Sequence, residues 1–257
     1  MNKKEETVND KSLEFQQARS KEIEAMAHDT QLSQISNNWI NHAQAARYPY
    51  HFEWMGRPII QYPQDILAVQ EIIWSVKPDL IIETGIAHGG SLIFSASMLE
   101  LNTISGGPPD AQVLGIDIDI RAHNRAAIEA HPMARRIAMI QGSSIASEVI
   151  SQVKAKASGK RSVLVLLDSN HTHDHVLAEL EAYANLATIG SYCVVFDTVI
   201  EDMPADTFND RPWGKGNNAK TAVWDFLKRH PEFEADKNIQ HKLLITVAPD
   251  GYLRRIS

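Results

Sequence analysis

Glu83-Thr84-Gly85, followed by Gly89-Gly90-Ser91, has the residue types of a ligand-binding turn between a strand and a helix. Glycines there let a ligand approach the backbone, and Ser91 can cap the helix. The carboxylate of Glu83 at the strand end argues against an anion and for a cation such as a free ammonium. The plainer alternative is a carboxylate that only accepts hydrogen bonds from the turn. Ala87 stands where Gly-x-Gly-x-x-Gly would need its second glycine, which counts against a dinucleotide.

Further polar clusters follow the same logic. Gly115-Ile116-Asp117-Ile118-Asp119 places Asp117 at a strand end, where a carboxylate can accept both hydroxyls of a ribose. Gln141-Gly142-Ser143-Ser144 offers small polar groups at another strand end, suited to an adenine edge or to a helix cap. Leu167-Asp168-Ser169-Asn170-His171-Thr172-His173-Asp174-His175 is the densest cluster, and Asp197-Thr198 with Glu201-Asp202 brings more oxygen donors to the same edge. Asp168 and Asp197 on neighbouring strands suit a hard Mg²⁺ ion better than zinc, although the three histidines keep zinc as an alternative. His171, three residues beyond Asp168, is placed to remove a proton from a substrate hydroxyl, since histidine exchanges protons near neutral pH. His173 and His175 fall on the first turn of the next helix, facing solvent or substrate. Trp213, Asn217, Asn218 and Trp224 combine amides with aromatic faces and suit a lid over a carbohydrate, with a plain structural loop as the other reading.

These groups need a scaffold that delivers strand ends to one edge. Apolar runs at Leu80 to Ile82, Val113 to Ile116, Ile137 to Ile140, Val163 to Leu167, Tyr192 to Phe196 and Lys242 to Val247 alternate with helical patterns. Helices are expected from Asp65 to Val76, Ser91 to Leu101, Asn124 to Ala130, Ile145 to Ala157, Asp174 to Leu186 and Ala219 to Arg229. That alternation implies an α/β fold with a doubly wound, mostly parallel sheet, and Tyr252 to Ile256 returns as an antiparallel seventh strand. Residues 1–52 are polar with scattered apolar positions such as Leu13, Phe15 and Ile23, which suggests a helical extension before a domain spanning 53–257.

Bulk properties narrow the chemistry. A formal net charge of -7 disfavours general nucleic-acid binding. No apolar run is long enough for a membrane span, and Met1-Asn2-Lys3-Lys4-Glu5-Glu6 leads into polar sequence, so a cytoplasmic protein acting on a small molecule is expected. The single cysteine, Cys193, sits in an apolar strand run and reads as a buried hydrophobe.

Several of these motifs together resemble the cephalosporin hydroxylase and rhamnosyl O-methyltransferase group, relatives of the catechol-type Mg²⁺-dependent methyltransferases. The resemblance runs from about Trp54 to Arg255. It rests on Trp54-x-Gly56-x-Pro58, Glu83-Thr84-Gly85 with Gly89-Gly90-Ser91, Gly115-Ile116-Asp117-Ile118-Asp119, Leu167-Asp168-Ser169-x-His171 with His175, and Arg211-Pro212-Trp213-Gly214-x-Gly216-Asn217-Asn218. It implies a Rossmann-like methyltransferase fold that uses S-adenosyl-L-methionine. Glu83, Thr84, Gly85, Gly89 and Ser91 would lie near the methionine end, Asp117 on the ribose and Ser143 and Ser144 by the adenine, with Asp168 also at the cofactor. Asp168, Asp197 and Thr198 would hold Mg²⁺, His171 would act as general base, and His175, Trp213 and Asn217 would face a sugar or glycoside. A homo-oligomer is also implied. Phe196 departs from the Glu-Asp pair common in the sugar-methylating members, and Thr198 stands where catechol-type relatives place an Asn ligand. The competing expectations are an NAD-dependent Rossmann oxidoreductase and a catalytically degenerate cofactor-binding domain.

Overall fold

The computed structural model describes residues 3–257, with side chains from Lys11 onward; Met1 and Asn2, the start of the polar lead, lie outside the described residues. The chain opens with two helices, α1 (Lys3–His28) and α2 (Thr30–Ala45). Asp29 separates them and caps α2, its side chain accepting from the Leu32 amide at 2.8 Å. A two-stranded ribbon, β1 (Glu53–Trp54) and β2 (Arg57–Pro58), leads to α3 (Pro63–Val76), which begins on a proline whose fixed φ suits a first helical turn.

From there strands and helices alternate: β3 (Leu80–Thr84), α4 (Gly90–Ile104), β4 (Gln112–Asp117), α5 (Ala122–Glu129), β5 (Ile137–Gln141), α6 (Ser147–Ala157), β6 (Val163–Leu167), α7 (His173–Tyr183) and β7 (Tyr192–Val195). Then come α8 (Ala219–Arg229), β8 (Phe233–Ala235), α9 (Lys237–Leu243) and β9 (Tyr252–Arg255). The large sheet has the order β5-β4-β3-β6-β7-β9-β8, parallel through β7, with β9 antiparallel to both of its neighbours. The chain runs outward from β3 to β5 and then returns to place β6 on the other side of β3. That reversal makes the β3–β6 junction a topological switch point, where open α/β sheets form ligand crevices beyond the strands' carboxyl ends.

Strand periodicity decides which side chains meet there. Ile81, Leu164 and Leu166 join the core beneath α3 and α4, whereas Ile82, Val163, Val165 and Leu167 join the core on the opposite face. Glu83 is in phase with Ile81, and Asp168 is in phase with Leu166, so both carboxylates fall on the α3–α4 side of the sheet.

Tyr252–Arg255 returns antiparallel as expected, but another expected strand differs. Lys242 to Val247 is not a strand: its first residues finish α9, and Thr246 and Val247 bind the buried carboxylate of Asp65 instead of a sheet neighbour. The run is apolar because it packs onto α3, and periodicity does not distinguish that burial from a strand's. The edge strand is Phe233–Ala235, whose three residues carry too little pattern to stand out. Cys193 is buried in β7 as expected. Among the described residues no helix is long and apolar enough to cross a membrane.

Candidate active site

The glycine turn after β3 is tightly braced. Gly85 has φ +89° and its backbone sits against that of Asp168, while a Cβ on Gly90 would strike the Pro58 carbonyl. Arg57 donates to the His88 carbonyl at 3.0 and 2.7 Å and to Asn124 at 2.9 Å, and Asn124 in turn donates to the Ala87 carbonyl at 2.8 Å. The Trp54-x-Gly56-x-Pro58 ribbon therefore supports the turn from outside. Asp117 reaches it from β4, accepting from the amides of Ile86 at 2.8 Å, Ala87 at 3.3 Å and Asp119 at 2.9 Å.

Glu83 is only 2 % exposed, and its Oε1 accepts from the Ser91 hydroxyl. Burial pushes its carboxyl up from 4.5 to about 7, partly offset by the hydroxyls of Ser91 and Ser95. Asp168, at the end of β6, accepts from the Gln61 amide nitrogen at 2.9 Å. Burial first, then the nearby charges of Asp197 and Glu83, hold its carboxyl well above the usual range. Among the described residues no lysine or arginine forms an ion pair with Glu83, Asp168 or Asp197. An edge carrying several carboxylates and no bridging cation is built for a positively charged ligand or a metal.

Oxygens of Asp168 and Asp197 and a ring nitrogen of His171 lie within 4.8 Å of one another. This mixed oxygen and nitrogen set fits a divalent ion. Thr198 is fully buried beside it, but its hydroxyl donates to the Pro249 carbonyl at 2.6 Å, so the structure brings His171 rather than Thr198 to the two acids. Asp197 takes a left-handed conformation at φ 57°, which turns the chain sharply at the end of β7. His171 Nε2 stands 3.3 Å from Asp197 Oδ2, its ring meets Trp213 edge-on at 4.8 Å, and its Nδ1 is buried without a partner.

Other expected residues have different surroundings. His175 Nε2 contacts Ser144 Oγ at 3.1 Å and Ser169 Oγ at 3.3 Å, and Ser169 donates to the buried Glu179 at 2.7 Å. His175 thus ties the ends of β5 and β6 together instead of joining the Asp168–His171–Asp197 group. Ser143 accepts through its carbonyl from the Ala146 amide at 3.0 Å, in the turn before α6. Asn217 accepts from the His173 amide at 3.0 Å, and Asn218 caps α8, so those amides anchor the loop that carries Trp213. Trp224 lies on α8, partly exposed, with the Lys220 ammonium 5.7 Å from its ring centre.

Gln61, Ser95 and Asp65 also line one cleft with Glu83 and Asp168. Ser95 follows Ser91 by four residues on α4, a spacing that marks one helix face and was available in the sequence. Gln61 carried no comparable signal, because its partner is 107 positions away.

The carboxyl shifts set a sign for pH dependence. A folded-state value raised above the unfolded one contributes stability below about 4.5 that is lost as pH rises through about 7 for Glu83. Asp65, raised by burial from 3.8 to about 6, acts in the same direction. In ligand-free protein, Glu83→Gln should gain stability relative to wild type by up to about 3 kcal/mol between pH 5 and pH 8. Urea denaturation at the two pH values measures that difference, and a constant difference would remove Glu83 as its source.

A family model described as Rhamnosyl O-methyltransferase/CmcI matches residues 46–256. The rhamnosyl O-methyltransferase of Mycobacterium leprae is 30 % identical over 209 residues, covering 79 % of this chain and 82 % of that one. CmcI determined with Mg and SAM superposes with TM-score 0.55 at 18 % identity, covering 81 % of this chain and 78 % of CmcI. An O-methyltransferase from Bacillus cereus in complex with SAH gives TM-score 0.51 at 16 % identity, covering 82 % and 90 %. At those identities the two structures establish a shared fold.

Proposed function

The chain belongs to the rhamnosyl O-methyltransferase/CmcI family, and from that membership and the acid-lined switch point we propose that it moves the methyl group of S-adenosyl-L-methionine onto a hydroxyl of a sugar or glycoside. The observation that carries the reading is the convergence of Glu83, Asp168, Asp197 and His171 on one sheet edge without a bridging lysine or arginine. A sulfonium with a free ammonium is the kind of ligand such an edge attracts, whereas a pyrophosphate is repelled by it. That charge argument, with Ala87 in the turn, disfavours the NAD-dependent oxidoreductase.

Methyl transfer from a sulfonium to oxygen is an in-line displacement that requires the acceptor oxygen to shed its proton. His171 is arranged for that step. The ring lies beside Asp197, Nε2 3.3 Å from Oδ2, so the neutral imidazole takes the acceptor proton and the Asp197 carboxylate stabilises the imidazolium that forms. Trp213 holds the ring plane, and the Asn217–His173 bond holds the loop that carries Trp213. Asp168 and Asp197 would hold a divalent metal, magnesium by family resemblance, and a metal there supplies Lewis-acid polarisation of the acceptor oxygen. Thr198, committed to Pro249, supports the turn behind the site. Asp117, Ser143 and Ser144 frame the nucleoside end, and Gly85, Gly89 and Thr84 shape the floor of the turn.

Residues 53–257 form the catalytic unit in this reading and 1–52 an extension. Exposed Leu13 and Phe15 on α1 support a role for that extension in self-association of a cytoplasmic enzyme.

The test is paired. S-adenosyl-L-methionine should raise the thermal midpoint and NAD should not, because a ligand stabilises only the state that binds it. Mass spectrometry of p-nitrophenyl rhamnoside incubated with enzyme, S-adenosyl-L-methionine and Mg²⁺ or Mn²⁺ should then show a methylated product. Stabilisation by NAD alone would overturn the cofactor assignment. Cofactor binding without methylation of any glycoside in a broad panel, with either metal, would leave a degenerate binding domain.

A further inference from the structure

Three buried oxygens line one cleft without a well-formed hydrogen bond, Gln61 Oε1, Glu83 Oε2 and Ser95 Oγ, although the Ser95 hydroxyl lies near enough to the Glu83 carboxyl to lower its pKa. Their residues are 8 %, 2 % and 1 % exposed, so bulk water does not satisfy them. Folded proteins rarely leave one such atom unpaired, and three in one place mark a position that a ligand or an ordered water completes. The amide nitrogen of Gln61 donates to Asp168 at 2.9 Å, which leaves its oxygen facing the cleft. Glu83 is held similarly, since Ser91 occupies Oε1 and leaves Oε2 free. Apolar Ile59, Val69, Phe94 and Leu166 close the sides, and the space between them takes one water-sized group.

We propose that Gln61 and Ser95 join Glu83 in a cradle for the α-ammonium of the S-adenosyl-L-methionine tail. The proposal rests on the methyl-donor reading above and deepens it. A primary ammonium is close to water in size and carries three N–H donors, matching three convergent oxygens. A carboxylate or phosphate group brings only acceptors and like charge toward Glu83 and Asp168. The apolar walls provide no room for the hydration or the six oxygen ligands of a magnesium ion. Gln61 thereby acts as a positioning residue as well. One end of its amide touches the metal-facing acid and the other the cofactor's tail, so the donor's seat and the acceptor site share one rigid side chain.

The test uses the full chain, its Gln61→Met and Ser95→Ala variants, and three probes in isothermal titration. These are S-adenosylhomocysteine, the same molecule lacking its α-amino group, and 5′-methylthioadenosine, which lacks the amino-acid tail. Wild type should prefer S-adenosylhomocysteine to the desamino probe by about tenfold or more, as a charge-assisted hydrogen-bonded group warrants. Each variant should cut that preference by about fivefold to tenfold and leave 5′-methylthioadenosine binding unchanged. The ligand-free Ser95→Ala variant should keep the wild-type thermal midpoint closely, whereas Gln61→Met should lower it, because that change also removes the amide that donates to Asp168. No amine preference in wild type would mean a structural water only and overturn the cradle while keeping the methyl-donor reading. Variants that weaken all three probes equally would assign Gln61 and Ser95 a merely structural role and overturn it too. Failure of wild type to bind S-adenosylhomocysteine at all would overturn both readings.

Discussion

His171→Ala should lower methyl-transfer turnover about 10²- to 10⁴-fold, the range for loss of a positioned general base, while leaving S-adenosyl-L-methionine affinity nearly intact. The separation follows from position. His171 stands at the acceptor end, 3.3 Å from Asp197 and edge-on to Trp213, whereas Glu83, Ser91 and Asp117 surround the glycine turn. Removing the imidazole deletes the proton acceptor but no contact at that turn. Asp197→Asn is the informative companion. An asparagine there removes the carboxylate charge that stabilises the imidazolium formed when the ring takes the proton. Its turnover should fall while Trp213 and the loop remain in place. Steady-state kinetics beside calorimetric cofactor binding read both effects. Unchanged turnover in His171→Ala would remove the imidazole from the mechanism, and a matching loss of cofactor affinity would move it to the donor site.

How much of this was legible depended on whether a residue's role was set locally. The strand ends at Glu83, Asp117 and Asp168 could be located because apolar runs stop there and glycines or polar residues begin. Helix α8 was readable to the residue, since Asn218 and Thr221 form a capping box within its own first turn. Roles fixed at long range were not readable in this way. Thr198 has the right type and position for a ligand, yet its hydroxyl is taken by Pro249, 51 positions on, because the chain after α9 folds back against β7. His175 shares a helix turn with other polar residues, but its direction depends on Ser144 at the end of β5. The apolar stretch before Thr246 mimics a strand because it meets the same requirement for burial, and only the buried Asp65 reveals that its backbone is bonded elsewhere.

Gly85→Ala tests how closely the donor and acceptor ends are joined, and its effect should be severe. Two independent costs coincide at this position. At φ +89° the backbone occupies a region that an L side chain enters only with strain, on the order of 1–2 kcal/mol. An added Cβ would also lie 2.0 Å from the Asp168 carbonyl oxygen and 2.7 Å from its carbon, and those are backbone atoms that no rotamer change can move aside. Forcing an atom into such a contact costs about 1–3 kcal/mol more, for a combined loss of about 2–5 kcal/mol in chemical denaturation. The clash falls where β3 and β6 part, between Thr84 and Asp168, whose amide donates to the Thr84 carbonyl at 3.0 Å. Relief requires the two strand ends to separate, which carries Asp168 away from Gln61 and Asp197 while Glu83 stays with α4. Protein that still folds should therefore lose cofactor affinity and turnover together, unlike His171→Ala, which loses turnover alone. Gly56→Ala is the matched control: its φ of +81° imposes a comparable backbone strain, but its Cβ would meet nothing within 4 Å. If both alanine variants lose the same stability and keep the same cofactor affinity, the close contact between the β3 turn and Asp168 has no part in holding the two ends of the site together.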